Sequence, residues 1–278
     1  MDFSYPGLDD FLLDALREDI GSGDITTNCC VPGGAVSTGA FKAKEPGIIC
    51  GLGIAARVFG LLDAKIKIKP LVDDGAYVEA GAVIAEISGP SRSILTGERT
   101  ALNLLQHMSG VATRTFEAVR AVSGTDTAIV DTRKTLPGLR VLDKYAVRCG
   151  GGSNHRFNLS DGVLIKDNHI AASGGIAEAV AFARAGCPHT LKIEVETETL
   201  DQVEDAIAAG ADIIMLDNMP PETMAKAVTL INGRALTEAS GNMGERDLKA
   251  VAETGVDFIS IGALTHSVKA LDISLKFD

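Results

Sequence analysis

The sequence predicts an α/β protein in two parts, a small N-terminal α/β sandwich over residues 1–109 and an α/β barrel over residues 110–266. The second part repeats one unit, a β-branched run, a Gly or Pro turn and an Ala-rich helical stretch, which is the pattern of parallel strands with helical crossovers. The first part lacks that repeat and shows one amphipathic helix followed by short strands and turns. A chain of 278 residues has enough core to fold without disulfides.

The elements follow in order. The start, MDFSYPGLDDF, has no Lys or Arg before Arg17 and no long apolar run, so no secretory leader is expected. DDFLLDALRED reads as a helix, with Leu8, Phe11, Leu12, Leu16 and Ile20 on one face. KIKIKPLVDDGAYVEAGAVIAEISG reads as short strands joined by turns. SILTGERTALNLLQHMSG is predicted as a helix and ATRTFEAVRAV as a second one, with the Ser109–Gly110 pair breaking the two at a hinge between the domains. Six strands are expected next, TAIVDT, GVLIKD, LKIEVE, ADIIMLD, RALTEAS and VDFISIG, starting at Thr127, Gly162, Leu191, Ala211, Arg234 and Val256. Runs such as IIML predict strands covered on both faces. GIAEAVAFARAG, TLDQVEDAIAAG and RDLKAVAETG place apolar residues at helical spacing and end at Gly, so they read as the outer helices of a closed or nearly closed barrel. The alternating DISLKF of the tail predicts a strand that returns residues 267–278 to the first domain.

A formal charge of −11 argues against nucleic acid or an anionic membrane as partner, because phosphate polymers require a dominant basic field. No stretch approaches the ~18 apolar residues of a membrane span. Cys29, Cys30, Cys50, Cys149 and Cys187 lack metal-binding spacing, and the expectation is a reduced, cytoplasmic protein without structural zinc.

Active sites of α/β barrels are built at the carboxyl ends of the strands. Those ends carry Asp131, Thr132, Arg133 and Lys134; Lys166, Asp167, Asn168 and His169; Glu194 and Glu196; Asp217 and Asn218; Glu238, Ser240 and Gly241; and Gly262. From Thr132 to Lys166 seven basic residues (Arg133, Lys134, Arg140, Lys144, Arg148, Arg156, Lys166) face two acidic ones (Asp143, Asp161). Such a mouth suits a polyanion gripped by forked guanidiniums, with carboxylates opposite for a hard cation such as Mg²⁺. Ser-Gly-Asn and Ile-Gly-Ala, just before helices, offer backbone N–H groups to a phosphate. Together these point to phosphorylated-sugar chemistry. Blander roles stay open at several positions: the cations as solvated charges, Glu196 and Asp217 as structural ion-pair partners, His155 as a hydrogen-bonded core residue, Gly150–Gly152 as a turn. Lys166 also suits a Schiff-base aldolase nucleophile. His107, His189 and His266 have no partner pattern and read as structural or surface residues.

The block DTRKTLPGLRVLDKYAVRCGGGSNHRFNLSDGVLIKDNHI resembles the quinolinate phosphoribosyltransferase family, and the resemblance extends through REDIGSGDITT, GERTALNLLQHMSGVAT, GADIIMLDN and VDFISIGALTHS. It implies a sandwich domain beside an incomplete barrel, in a homodimer or higher oligomer with sites shared between subunits. It implies conversion of quinolinate and phosphoribosyl pyrophosphate to nicotinate mononucleotide, pyrophosphate and carbon dioxide, in NAD biosynthesis. Quinolinate would be held by Thr132, Arg133, Lys134, His155, Arg156 and Lys166, and by Arg99 from the neighbouring subunit; Arg140 is a weaker candidate. Phosphoribosyl pyrophosphate would meet Lys134, Lys166, Glu196 and Asp217, with Ser240, Gly241, Asn242, Ile261, Gly262 and Ala263 around its 5-phosphate. Mg²⁺ would lie near Glu196 and Asp217, bound directly or through water. A paralogue associated with molybdate transport shares the fold and much of the pocket, and a non-enzymatic binder of pyridine dicarboxylates is a further alternative.

Overall fold

The computed structural model describes residues 5–278. Helix α1 (Leu8–Ile20) buries Leu8, Leu12 and Leu16, the face expected from their spacing. Asp24 caps the short α2 (Ile25–Cys30) by accepting from Thr27 N at 2.9 Å. Strands β1 (Val36–Ala43) and β2 (Gly47–Ile48) precede α3 (Leu52–Leu62), and β3 (Lys67–Pro70), β4 (Tyr77–Val78) and β5 (Val83–Pro90) lead into α4 (Ser91–Ala121). The barrel strands are β6 (Ala128–Val130), β7 (Val163–Ile165), β8 (Ile193–Thr197), β9 (Ile213–Asp217), β10 (Leu236–Ser240) and β11 (Phe258–Ser260). Between them run α5 (Arg140–Cys149), α6 (Asp167–Ser173), α7 (Ile176–Gly186), α8 (Leu200–Ala209), α9 (Pro221–Ile231) and α10 (Leu248–Ala252). A four-residue α11 (Ala263–His266) and the tail strand β12 (Ile273–Phe277) complete the chain.

Two compact units result. The first holds residues up to 114, 141–151 and 268–278, and the second holds 115–140 and 152–267. In the first, an antiparallel sheet of order β12-β1-β5-β3 packs on helices, and Phe41 meets Phe59 edge-on at 6.3 Å between centroids. The alternating tail pairs with β1, Ile273 opposite Ala43 through Phe277 opposite Gly39.

Two expectations give way here. Ser109 and Gly110 do not break a helix, because α4 runs through them for 31 residues. A Cβ on Gly110 would lie 2.3 Å from Lys269 O, so this glycine admits the tail chain against the helix, and Ser109 Oγ satisfies Cys50 N at 3.0 Å. Segment 141–151, read as part of the barrel, belongs to the first unit: Leu142, Tyr145, Ala146 and Val147 are buried, and His107 Nε2 lies 2.6 Å from Asp143 Oδ1. Lys144 and Arg148 therefore leave the mouth's cationic set.

In the second unit all six strands form one parallel sheet of order β6-β11-β10-β9-β8-β7. The first strand pairs with the last, so the sheet curls as a barrel does. It stays open between β6 and β7, where Ser153 bridges Val130. Ile129, Ile165, Ile193, Val195, Ile214, Leu216 and Ile259 form the core beneath the helices, with Val180, Val203, Met224 and Val251. The inward faces depart from the expected apolar covering: Glu194 and Glu238 are buried on β8 and β10. IEVET alternates apolar and acidic positions, and LTEAS is mostly polar, so neither is a continuous apolar run. Among the described residues no helix is long and apolar enough to cross a membrane.

Candidate active site

A cavity of about 380 Å³ opens at the carboxyl ends of the six strands. Thr132, Arg133 and Lys134 reach it from the segment after β6, His155 and Arg156 from the segment before β7, and Lys166 from the end of β7. Glu196 and Asp217 enter from the last turns of β8 and β9, and Ser240, Gly241 and Asn242 from the end of β10. Eleven predicted site residues thus share one wall-to-wall space. The other four stand elsewhere. Ile261 is buried in the outer core and its N–H donates to Val130 O at 3.0 Å, while Gly262 and Ala263 start α11 and are not part of the cavity lining. Arg99 is exposed on α4 in the first unit.

The turn after β10 has a steric reason for its sequence. Asn218, Gly241 and Asn242 all have positive φ (55°, 93° and 53°), and a Cβ on Gly241 would sit 2.2 Å from Asn218 Oδ1. Only glycine lets the two strand ends approach there.

The cationic side is charged and poorly neutralised. Arg133 Nε is buried without a hydrogen-bond partner, and Arg156 Nη1 donates to Gly162 O at 2.9 Å. Burial, and then the neighbouring Arg133 charge, pull the Arg156 guanidinium below its ordinary pKa. Two guanidiniums held side by side, one with a donor left over, await an anion. Arg140 is not a wall residue: it donates to Thr135 Oγ1 at 3.1 Å, Phe157 O at 3.2 Å and Arg133 O at 3.2 Å, bracing the two segments that carry the ligand-facing cations. On the opposite side Lys166 Nζ is hydrogen-bonded to Glu196 Oε2, and Asn218 Nδ2 donates to Asp217 Oδ2 at 2.6 Å.

Three further residues at the strand ends, Asp131, Glu194 and Glu238, join His155 in a buried network, and Glu238 and His155 also line the cavity. Asp131, fully buried, accepts from His155 N at 2.9 Å and from Asn154 Nδ2 at 2.6 Å, which fixes the backbone leading to Arg156. His155 Nδ1 accepts from Arg156 N at 2.7 Å, and Nε2 stands 3.1 Å from Glu194 Oε2 and 3.6 Å from Glu238 Oε2. That network assigns the proton to Nε2. Both ring nitrogens are thus engaged, and His155 presents its ring to the cavity instead of a spare donor. Burial, and then the Glu194 carboxylate, push Glu238 up to about 7. The alternating glutamates of IEVET and the single Glu238 of LTEAS are the available signal, since an inward strand position in a barrel has no solvent of its own.

Two carboxylates at adjacent strand ends are hard oxygen donors, and they suit Mg²⁺, which keeps several waters and takes substrate phosphate oxygens. Glu196 and Asp217 fit that demand, with Glu196 also paired to Lys166.

An open α/β barrel with a paired-guanidinium wall, facing carboxylates and a glycine turn at a strand end defines an enzyme that joins two anionic substrates, one of them phosphorylated. The family description for the quinolinate phosphoribosyl transferase N-terminal domain matches residues 24–109, and that for the C-terminal domain matches residues 111–276. The chain belongs to the quinolinate phosphoribosyltransferase family. It is 50% identical over 258 residues to the probable nicotinate-nucleotide pyrophosphorylase [carboxylating] of Bacillus subtilis, covering 93% of this chain and 89% of the relative. Among solved structures it is similar to a NadC deletion mutant (46% identity, TM-score 0.95, covering 99% and 98% of the two chains). It is also similar to NadC from Streptococcus pyogenes (45%, 0.93, 100% and 99%).

Proposed function

We infer that this chain is the decarboxylating phosphoribosyltransferase of NAD biosynthesis, converting quinolinate and phosphoribosyl pyrophosphate to nicotinate mononucleotide, pyrophosphate and carbon dioxide. The observation that carries the reading is the side-by-side pair Arg133 and Arg156, with a buried unpartnered Nε, facing Glu196 and Asp217 across one cavity. Adjacent carboxylates on a planar ring demand forked planar donors, which guanidinium provides and ammonium does not.

The ring nitrogen attacks the anomeric carbon as pyrophosphate leaves, so positive charge grows on the ribose and negative charge on the leaving group. Lys134 and Lys166 stabilise the leaving oxygens, and the Glu196 and Asp217 carboxylates lie toward the ribose. Mg²⁺, when bound by Glu196 and Asp217 directly or through water, supplies charge neutralisation of the pyrophosphate. The quaternised ring is then an electron sink: the carboxylate next to nitrogen departs as carbon dioxide, and the carbanion left behind takes up a proton. Arg133, Arg156 and Thr132 hold the ring in place, and His155, whose Nδ1 accepts from Arg156 N, keeps that backbone in position. Ser240, Gly241 and Asn242 receive the 5-phosphate, with the backbone of Ile261, Gly262 and Ala263 as the neighbouring strand end. Lys166, an ammonium paired with Glu196, acts as a charge and not as a Schiff-base nucleophile.

The working assembly in this reading is a homodimer in which Arg99 of one subunit completes the other's quinolinate pocket. Five unpaired cysteines favour a reducing, cytoplasmic setting. The decisive assay supplies quinolinate, phosphoribosyl pyrophosphate and Mg²⁺ and measures carbon dioxide and pyrophosphate together. Equal release of both is expected. Pyrophosphate release without carbon dioxide, or binding of quinolinate without turnover, overturns the assignment.

A further inference from the structure

A cluster in the first compact unit takes no part in phosphoribosyl transfer. Cys50 stands at the turn between β2 and α3, Cys149 ends α5, and Asp74 precedes β4. The two sulfurs and an Asp74 oxygen lie within 4.8 Å of one another. Tyr145, one helical turn before Cys149, donates its hydroxyl to Asp74 Oδ2 at 2.9 Å.

The contact is held by the backbone on both sides. Cys50 N donates to Ser109 Oγ at 3.0 Å, and the same hydroxyl donates to Cys50 O at 3.2 Å. Asp74 Oδ1 accepts from Gly51 N at 3.0 Å and Leu52 N at 3.2 Å at the start of α3. Both carboxylate oxygens are therefore committed to the protein.

The sulfurs are chemically unequal. Cys50 is fully buried and Cys149 is partly exposed. Hydrogen bonds, first from Cys50 and then from Tyr145, draw the Cys149 thiol below its ordinary pKa, whereas burial pushes the Cys50 thiol well up. A partly exposed sulfur with a lowered pKa next to a buried partner divides the roles of attacking and resolving thiol.

We propose that Cys149 and Cys50 are a peroxide-oxidisable dithiol whose disulfide fastens the end of α5 to the turn before α3 and slows the enzyme. The Cys149 thiolate attacks hydrogen peroxide, the O–O bond breaks, and a sulfenic acid forms at Cys149 with release of hydroxide. Cys50 sulfur then attacks Cys149 sulfur, the S–O bond breaks, and the Cys50 proton leaves with the departing hydroxide as water. In sum two thiols and one peroxide give one disulfide and two waters, the peroxide being the oxidant. Closure to a bond of about 2.05 Å draws the Cys149 backbone toward Cys50. Gly150–Gly152 follow directly, and the same segment continues to His155 and Arg156, so the displacement is transmitted toward the quinolinate donors.

The test uses the full chain carrying Cys29→Ser and Cys30→Ser, which removes the exposed thiols of α2. After near-stoichiometric peroxide, non-reducing peptide mapping should show a Cys50–Cys149 cross-link lighter by two hydrogens, with turnover lost and then restored by dithiothreitol. A further Cys50→Ser change should leave a Cys149 sulfenic acid that dimedone traps, and Cys149→Ser should keep turnover under peroxide. Mapping of the two-serine protein decides the case even where those further variants fold poorly. The proposal falls if Cys149 reaches sulfinic acid while Cys50 stays a thiol, or if the pair resists peroxide. It falls equally if a chelator must be added before the thiols react, or if the disulfide forms without change in turnover.

Discussion

Glu238 is the residue whose charge state the barrel interior controls most directly. Its carboxyl is buried beside Glu194 and pushed up to about 7 from an ordinary 4.5. A folded-state pKa raised above the unfolded one means that the native protein keeps a proton the unfolded chain releases, so this stability is complete below about 4.5 and is lost as pH rises through about 7. The size is on the order of 3 kcal/mol. Glu238→Gln, which keeps the shape without the ionisation, should flatten that dependence. Denaturant unfolding on either side of this window checks it, and an unchanged slope would show that Glu238 is ionised throughout. The guanidiniums make a second demand on chemistry at single positions. Arg156 donates to Gly162 O at 2.9 Å while its neighbour Arg133 holds a free buried Nε, a geometry built for planar forks. Arg156→Lys should reduce kcat/KM for quinolinate about 10- to 100-fold, the loss of one charge-assisted bond or two. Its KM for phosphoribosyl pyrophosphate should move little. Near-normal quinolinate kinetics would remove Arg156 from the carboxylate site.

Helix α4 shows how an element can contradict its own residues. Gly110→Ala in an exposed helix would add stability by up to about 1 kcal/mol. Here the new Cβ would lie 2.3 Å from Lys269 O and 3.1 Å from Ala270 Cα, so the tail must move. Overpacking wins, and the variant should lose about 1–3 kcal/mol. Thermal unfolding measures it, and a more stable variant would mean the tail yields freely. The same glycine explains why the sequence predicts two helices: Gly and Ser weaken a local helical signal, while Gly110 is required by the tail at Lys269 and Ser109 by the backbone of Cys50. Most barrel strands are legible as short apolar or β-branched runs between turns, and the strand ends are legible because barrel geometry gathers them. What stayed hidden is non-local. Arg140 counts as one more cation until its guanidinium is seen on Arg133 O and Phe157 O. Segment 141–151 carries two cations and no sign that Tyr145 and Asp143 face Asp74 and His107. The glutamates of IEVET and LTEAS are visible, yet an inward glutamate and an outward one look alike until the sheet curls.

The whole molecule carries a formal charge of −11 while its cavity gathers Arg133, Lys134, Arg156 and Lys166 around space for two anionic substrates. Beyond a Debye length, about 8 Å at physiological salt, such substrates meet a repellent body, so capture depends on cations at the mouth itself. In that setting the proposed Arg99 from a second subunit would add a forked donor where the chain's own pocket has only two. Arg99 is exposed on α4, which leaves it available to a partner, and a closed two-fold assembly would give each subunit's pocket the other's arginine. The consequence is intersubunit complementation. Arg99→Ala and Lys166→Ala should each abolish turnover alone, the first by emptying the partner's pocket and the second by disabling its own. Co-expressed in equal amounts, half of the dimers are mixed, and each mixed dimer contains one pocket with both residues and one with neither. About a quarter of full activity should therefore return. Recovery separates an arginine shared between subunits from one that acts within its own chain, because an internal Arg99 would leave every pocket in the mixture with one residue missing. Absence of recovery from a mixture shown by sedimentation and tag pull-down to contain mixed dimers would end the reading of Arg99 as a residue shared between subunits.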